Sequence, residues 1–216
     1  MIYQRERYSS SIPKMKEAPF DFVMMTLVDI TDPGLVILPA HRLLRGMEQS
    51  ALDSLLARLN VFFNVEDYAI SKTNIRSQIN KLLSNNKNET KLLLSGLKQG
   101  KMQVISVRDF GAIRPMFPAF HSEYYQKLDV SIVDHVILEE LLGLSHDKAG
   151  AFLDYNYDAE TAVRKVLEKE YQLGIIVNPL KPEAIKAIAD SGDRMPRKST
   201  YFYPKAPAGL VSYRFA

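Results

Sequence analysis

The densest chemistry in this chain lies near its end, in Gly192-Asp193-Arg194-Met195-Pro196-Arg197-Lys198-Ser199-Thr200-Tyr201-Phe202-Tyr203-Pro204-Lys205. These fourteen positions hold four cations, two adjacent hydroxyls, two prolines and three consecutive aromatics. A turn stiffened at Met195-Pro196 is expected to present Arg194, Arg197, Lys198, Ser199 and Thr200 together, with Lys205 following. Guanidiniums, an ammonium and hydroxyls in one place could hold a phosphate or carboxylate by charge-assisted hydrogen bonds. The plainer alternative is that the arginines cap the preceding helix and pair with surface acids, while Tyr201–Tyr203 packs as an edge strand.

The same stretch nearly spells a phosphate-binding Walker loop, with Gly192 first and Lys198-Ser199 last. The physics excludes it. Arg197 occupies the second glycine position, Pro196 has no amide to donate, and aromatics ending in proline follow where a helix must start.

A second constellation is Ala40-His41-Arg42, delivered at the end of an apolar run. If both side chains point into a cleft at the strand ends, His41 can serve as acid or base and Arg42 can clamp an oxyanion. The alternative for His41 is a loop imidazole bonded to backbone. His135 has Asp134 and Glu139 nearby, and His135 with Glu139 has helical ligand spacing, but no third ligand can be placed, so no metal is expected. Asp109-Phe110-Gly111 matches a kinase triplet without any of its companions.

The elements that must position these groups are read from periodicity. Phe20–Ile30 is a near-continuous apolar run, as for a strand buried on both faces; Asp32-Pro33-Gly34 is a turn, and Leu35–Pro39 continues as a neighbouring strand. Helices are expected over Gln49–Leu59, from Lys72 through Leu83, and over Leu128–Leu142, the last apolar enough to lie against a sheet. Strands are expected near Val61–Val65, over Lys101–Val107, around Ala151–Leu153 and over Tyr171–Val177. A helix should begin after Asp158 as N-cap, and another should run from Pro182 to a stop at Gly192. The fold class that follows is α+β: a mixed β-sheet flanked by helices, with a C-terminal βαβ-like unit and a closing hairpin of Thr200–Tyr203 and Leu210–Phe215. Residues 1–19 read as a helix remnant and linker, and 20–216 as a single domain.

Composition narrows the function classes. The chain has 216 residues, 46% apolar and 25% charged, with no low-complexity tract, as in ordinary globular proteins. A formal net charge of +3 is too small to argue for nucleic acid as the partner. Between Asp193 and Ala216 five cations face one acid, which suits a local anion site. The absence of cysteine removes thiolate catalysis and Cys-based metal sites. No apolar run approaches a membrane span, so the expectation is a cytoplasmic protein with no membrane partner.

Phe22-Val23-Met24-Met25 through Gly34-Leu35, Leu38-Pro39-Ala40-His41-Arg42, and Met195 through Lys205 with Gly209-Leu210-Val211 resemble domain-of-unknown-function family 1015 (DUF1015) of bacteria and archaea. Members of that family are about twice as long and carry an Asp-Gly-His-His-Arg-Tyr motif in an N-terminal half similar to ParB/sulfiredoxin-like proteins, a group that includes nucleotide-dependent enzymes and a free-serine kinase. Ile2–Arg7 resembles the helix after that motif. The resemblance implies a C-terminal portion whose companion half is absent or separately encoded. The clustered cations and hydroxyls, together with the relatives that the resemblance implies, point to a small anionic or phosphorylated ligand at a wall of His41, Arg42, Arg194, Lys198, Ser199 and Thr200, with ATP or ADP handled jointly with the missing half. Whether the chain is itself an enzyme stays open. A non-catalytic regulatory or nucleic-acid-interacting module and a structural remnant are the alternatives.

Overall fold

The structure is a computed structural model, and it describes residues 25, 27–84, 90–145 and 149–205. Ile37–Tyr203 forms one compact unit. It contains a six-stranded sheet and most of a two-stranded one, flanked by helices, so the α+β class expected from the sequence is the observed class.

In chain order the strands are β1 (Val36–Leu38), β2 (His41–Leu44), β3 (Phe63–Ala69), β4 (Lys91–Ser95), β5 (Lys101–Val107), β6 (Leu153–Asn156), β7 (Leu173–Ile176) and β8 (Tyr201–Tyr203). The helices are α1 (Gln49–Phe62), α2 (Ile75–Leu83), α3 (Phe110–Ile113), α4 (Glu123–Gln126), α5 (Asp129–Ser131), α6 (Ala159–Leu167) and α7 (Pro182–Asp190). The large sheet runs β3-β5-β4-β7-β2-β6, with every neighbouring pair antiparallel, and β1 pairs with β8 separately. β7, α7 and β8 keep the expected strand–helix–strand order, but the two strands sit in different sheets, because β8 meets β1.

The strands alternate as a doubly covered sheet requires. Leu44, Leu92, Leu94, Ile105, Leu173 and Ile175 bury against α1 and the long helical segment that follows α5. Leu43, Leu93, Met102 and Ile176 bury on the other face against Ile75, Ile79 and Leu83 of α2 and Ala162, Val163 and Val166 of α6. Each such side chain contributes about 1.5–3 kcal/mol of burial. Helix α6 comes close to the sheet because Gly174 has no side chain there; a Cβ would lie 2.9 Å from Ser95 Oγ and 3.1 Å from Val166 Cγ2.

Several local expectations are met by their physical causes. Asp158 caps α6, accepting from the Thr161 amide at 2.9 Å and the Thr161 hydroxyl at 2.7 Å. Pro182 starts α7, and Gly192 follows it at φ 72°. The expected helix over Leu128–Leu142 is α5 followed by a ten-residue π-helix, Ile132–Leu141. Its wider winding closes bonds such as Leu142 N–H to the Ile137 carbonyl at 3.0 Å.

The strand expected over Phe20–Ile30 is corrected where it can be seen. Met25, Leu27 and Val28 are 69%, 87% and 59% exposed and belong to no strand. A continuous apolar run signals burial somewhere, yet it specifies no pairing partner, and here the sheet is completed by β4, which the sequence did not announce. Residues 20–24 and 26, the remnant over 1–19 and the second hairpin strand over Leu210–Phe215 lie outside the described residues. In the unit that precedes Ile37, Asp29 and Asp32 build the turn: Thr31 N and Oγ1 each donate to Asp29 at 2.8 Å, and Gly34 N donates to Asp32 at 2.7 Å.

Candidate functional site

Adjacent residues of a strand face opposite ways, and this separates His41 from Arg42. His41 follows Leu43 onto the α2/α6 face, and Arg42 follows Leu44 onto the face covered by the π-helix. The two side chains therefore do not share a cleft, contrary to the expectation.

Arg42 is completely buried. Its Nε and Nη2 donate to Asp134 on the π-helix at 3.1–3.2 Å, Nη1 donates to the Ala40 carbonyl at 2.6 Å, and the guanidinium lies 5.6 Å from the Tyr155 ring centroid. It works as an internal strut, not as an oxyanion clamp. Burial raises the Asp134 carboxyl, and the neighbouring guanidinium opposes that rise.

Above this strut is a cavity of about 180 Å³ whose wall includes Asp134, Glu139, Tyr155, Arg197 and Lys198. The cationic turn reaches it because Pro196 and Ser199 are buried on either side of the exposed Arg197 and Lys198. Lys198 is held at φ 55°, a left-handed conformation unusual for a side chain of this kind. Its ammonium sits 6.0 Å from the Tyr155 ring centroid, within cation–π range.

Behind Glu139 runs a hydrogen-bonded series that the sequence only hinted at. His135 Nδ1 lies 2.7 Å from Glu139, and its Nε2 lies 3.0 Å from the Tyr125 hydroxyl. With Nδ1–H donating to the carboxylate, Nε2 accepts from the phenol. Burial, reinforced by Asp134, pushes the Tyr125 phenol up to about 12, so it remains a donor. The ring of His121 stacks on Tyr125 at 3.6 Å, and its Nδ1 meets Asp193 at 2.9 Å. Asp193 also accepts from the Ser122 and Arg194 amides, which holds it down at about 2 despite desolvation. The arrangement can keep or move a proton between the cavity wall and the interior. Among the described residues no three His, Cys, Asp or Glu side chains are grouped to hold a metal ion.

On the opposite face His41 is 2% exposed and accepts a 3.3 Å hydrogen bond from the Val177 amide through Nδ1. Burial, with Arg42 adding repulsion against a small pull from Asp158, lowers its ionisation to about 4. The ring is neutral near pH 7 and carries its proton on Nε2. It lines a cavity of about 420 Å³ between α2 and the start of α6.

The residues expected to form one wall are thus distributed. Arg197 and Lys198 share the Tyr155 cavity. Arg194 lines another depression with His121 and Asp193. Ser199 is buried, Thr200 is half-buried beside β8, and Lys205 follows Tyr203, outside the compact unit. Asp134 and Glu139 were read only as neighbours of His135, and their place with Tyr155 in one wall beside Arg197 and Lys198, with Tyr125 behind, was not foreseen. The i, i+4 pairing of His135 with Glu139 was the available signal.

Among the described residues no helix is long and apolar enough to cross a membrane. The family model described as Protein of unknown function (DUF1015) matches residues 2–131, so the matched stretch ends before the cationic turn. No curated protein matches the chain. Among solved structures, a conserved hypothetical protein from Pyrococcus furiosus is similar at 14% identity and a TM-score of 0.45, over 84% of this chain and 62% of that one. A free serine kinase variant in complex with AMP is similar at 12% identity and a TM-score of 0.44, over 82% and 57%. The corresponding complex with ADP gives 13% and 0.43 over the same shares. The chain spans less than two thirds of the length of these structures.

Proposed function

Because the chain belongs to the DUF1015 family, whose function is unknown, we propose from its own geometry that it recognises a small phosphorylated ligand in the cavity walled by Arg197 and Lys198. The observation that carries this is the conformation of Lys198: a left-handed lysine anchored between two buried residues, with its ammonium over an aromatic ring at a cavity wall. Such strain is tolerated where surrounding structure over-determines it and is concentrated at ligand clamps.

The cavity volume suits a phosphoryl group with a small attachment, and a larger nucleotide would extend outward from it. Arg197 supplies a planar fork for two oxygens and Lys198 a point charge. Glu139, backed by His135 and Tyr125, is the proton-handling group of the same wall. Arg42 contributes by fixing Asp134. In this reading the companion half expected from the family resemblance supplies the remaining walls, and ATP or ADP is the ligand handled jointly with it.

Titration calorimetry with inorganic phosphate, phosphoserine, ADP and ATP tests the proposal. Lys198→Ala or Arg197→Ala is expected to weaken binding about 10- to 100-fold, the worth of one charge-assisted hydrogen bond. Absence of binding both by this chain and by a full-length family member would refute it.

A further inference from the structure

The wall that would attract a phosphoryl group also carries a group that repels one. Lys198 brings a positive charge to the 180 Å³ cavity, and Glu139 brings a negative charge to the same space. A carboxylate facing an anion is disfavoured unless something neutralises it. The other carboxylate of the wall is already matched, because Asp134 receives Nε and Nη2 of Arg42 at 3.1–3.2 Å. Glu139 has an imidazole instead, with His135 Nδ1 2.7 Å away. A guanidinium always carries its charge, whereas an imidazole carries one only after taking a proton.

Behind His135 the fold holds a place for that proton. The Tyr125 hydroxyl lies 3.0 Å from His135 Nε2, and the Ser131 hydroxyl stands close enough to the same phenol to bear on its ionisation. Ser131 is fully buried, and its Oγ has no hydrogen-bond partner among the described residues. A phenol has one hydrogen to give. While that hydrogen goes to His135 Nε2, the Ser131 oxygen is left without a donor, which is unfavourable for a buried polar atom. Once Nε2 holds a proton of its own, it donates to the phenol oxygen, and the phenol hydrogen turns to Ser131 Oγ. Each atom of the series from Glu139 to Ser131 then has a partner.

The other charged groups packed around the ring are engaged elsewhere. His121, whose ring centroid is 6.3 Å from that of His135, meets Asp193 at 2.9 Å. Arg58 of α1 donates to the Leu141 carbonyl at 2.6 Å, and Arg114, on the short turn Arg114–Met116 beside the π-helix, pairs with Glu123 at 3.0 Å. Phe117 meets the ring edge-on at 5.7 Å and offers no charge. Glu140 is exposed, and burial pushes the Tyr155 phenol of the cavity wall up, so it stays neutral.

We infer that a phosphorylated ligand enters this cavity together with a proton, which His135 takes at Nε2, turning the Glu139–His135 pair from net negative to neutral; this regulation rests on the phosphate reading of the cavity. The proton comes from solvent, one N–H bond forms, and the Tyr125 hydrogen changes its acceptor from His135 to Ser131. Lower pH therefore tightens binding, and rising pH releases the ligand.

The full chain is titrated calorimetrically with phosphoserine across pH 7–8.5, in buffers of different ionisation heat. Above its second ionisation, near about 6, the phosphate stays doubly charged, so a proton taken up goes to the protein. The expected result is an uptake of about 0.5–1 proton per ligand, with the dissociation constant rising about 3- to 10-fold per pH unit. His135→Gln, which cannot take the proton, should abolish both effects. Ser131→Ala removes a hydroxyl that the ligand-free state leaves unmatched; it should fold at least as stably, bind about 2- to 10-fold more weakly at pH 7 and show a shallower pH slope. In the wild-type protein, nitrogen NMR of the histidine rings should show His135 Nε2 gaining a proton as phosphoserine is added, a readout independent of whether His135→Gln folds. Binding with no proton uptake and a level dissociation constant overturns the inference and leaves the phosphate reading standing. Uptake undiminished in His135→Gln, or a His135 ring unchanged by the ligand, overturns it by placing the proton elsewhere. Absence of phosphoserine binding by this chain overturns it too, and the phosphate reading falls with it only if a full-length family member also fails to bind.

Discussion

The two faces of β2 solve the burial of a basic residue in opposite ways. On the π-helix face a full positive charge is retained and matched: Arg42 has a carboxylate, a carbonyl and an aromatic ring around it. On the α2/α6 face the charge is given up, and His41 stays neutral by virtue of its lowered ionisation. The difference follows from chemistry, since a guanidinium cannot shed its proton and an imidazole can. One consecutive pair of basic residues therefore yields an internal strut on one side and, on the other, a neutral imidazole that accepts from the Val177 amide.

The contrast can be broken most forcefully at Arg42. Arg42→Met leaves Asp134 without its counter-charge and is expected to cost about 3–5 kcal/mol in urea unfolding. Adding Asp134→Leu should return at least half of that loss; a double variant no more stable than the single would show that the pair is not the strut. The next effect is a pH dependence. A folded ring titrating near 4 instead of 6.5 refuses a proton that the unfolded chain accepts, so the His41 contribution is intact above pH 6.5 and is lost as pH falls toward 4. Over that window about 3 kcal/mol disappears. Unfolding curves of His41→Gln across pH 4–7 should be flatter by that amount, and parallel curves would place His41 in water. Removing the cap of the helix on the same face, Asp158→Ala, should cost about 1 kcal/mol. Arg76→Ala, which cuts the exposed pairs with Asp158 and Glu160, should have the smallest effect of the series, one that shrinks further in high salt.

What the sequence made legible was local. Asp158 as N-cap, Pro182 and Gly192 around α7, and the limits of β5 follow from backbone chemistry within a few residues. The division between His41 and Arg42 was also legible, because strand residues alternate, but the pair stood at a strand end and was assigned to a loop-like cleft. The partnership of Arg42 with Asp134 spans 92 positions, and no short-range signal announces it. The π-helix escaped for a related reason: an apolar segment with repeats at three and four residues reads as an α-helix, and the wider winding that carries Asp134, His135 and Glu139 is set by what it packs against. The cationic turn was identified as a chemical feature, while its distribution over two cavities depended on which of its residues the fold buries.

Lys198 has a consequence for selection. Holding a lysine left-handed costs about 1–2 kcal/mol, a strain that glycine does not bear and partly exchanges for lost backbone entropy. A library screened for thermal survival alone should therefore accept Lys198→Gly freely, with stability unchanged or slightly raised. The same library screened for retention of a phosphorylated ligand should discard it. Residue 198 is thus a position where enrichment under one pressure and depletion under the other would report, without any knowledge of the ligand's identity, what the turn is for.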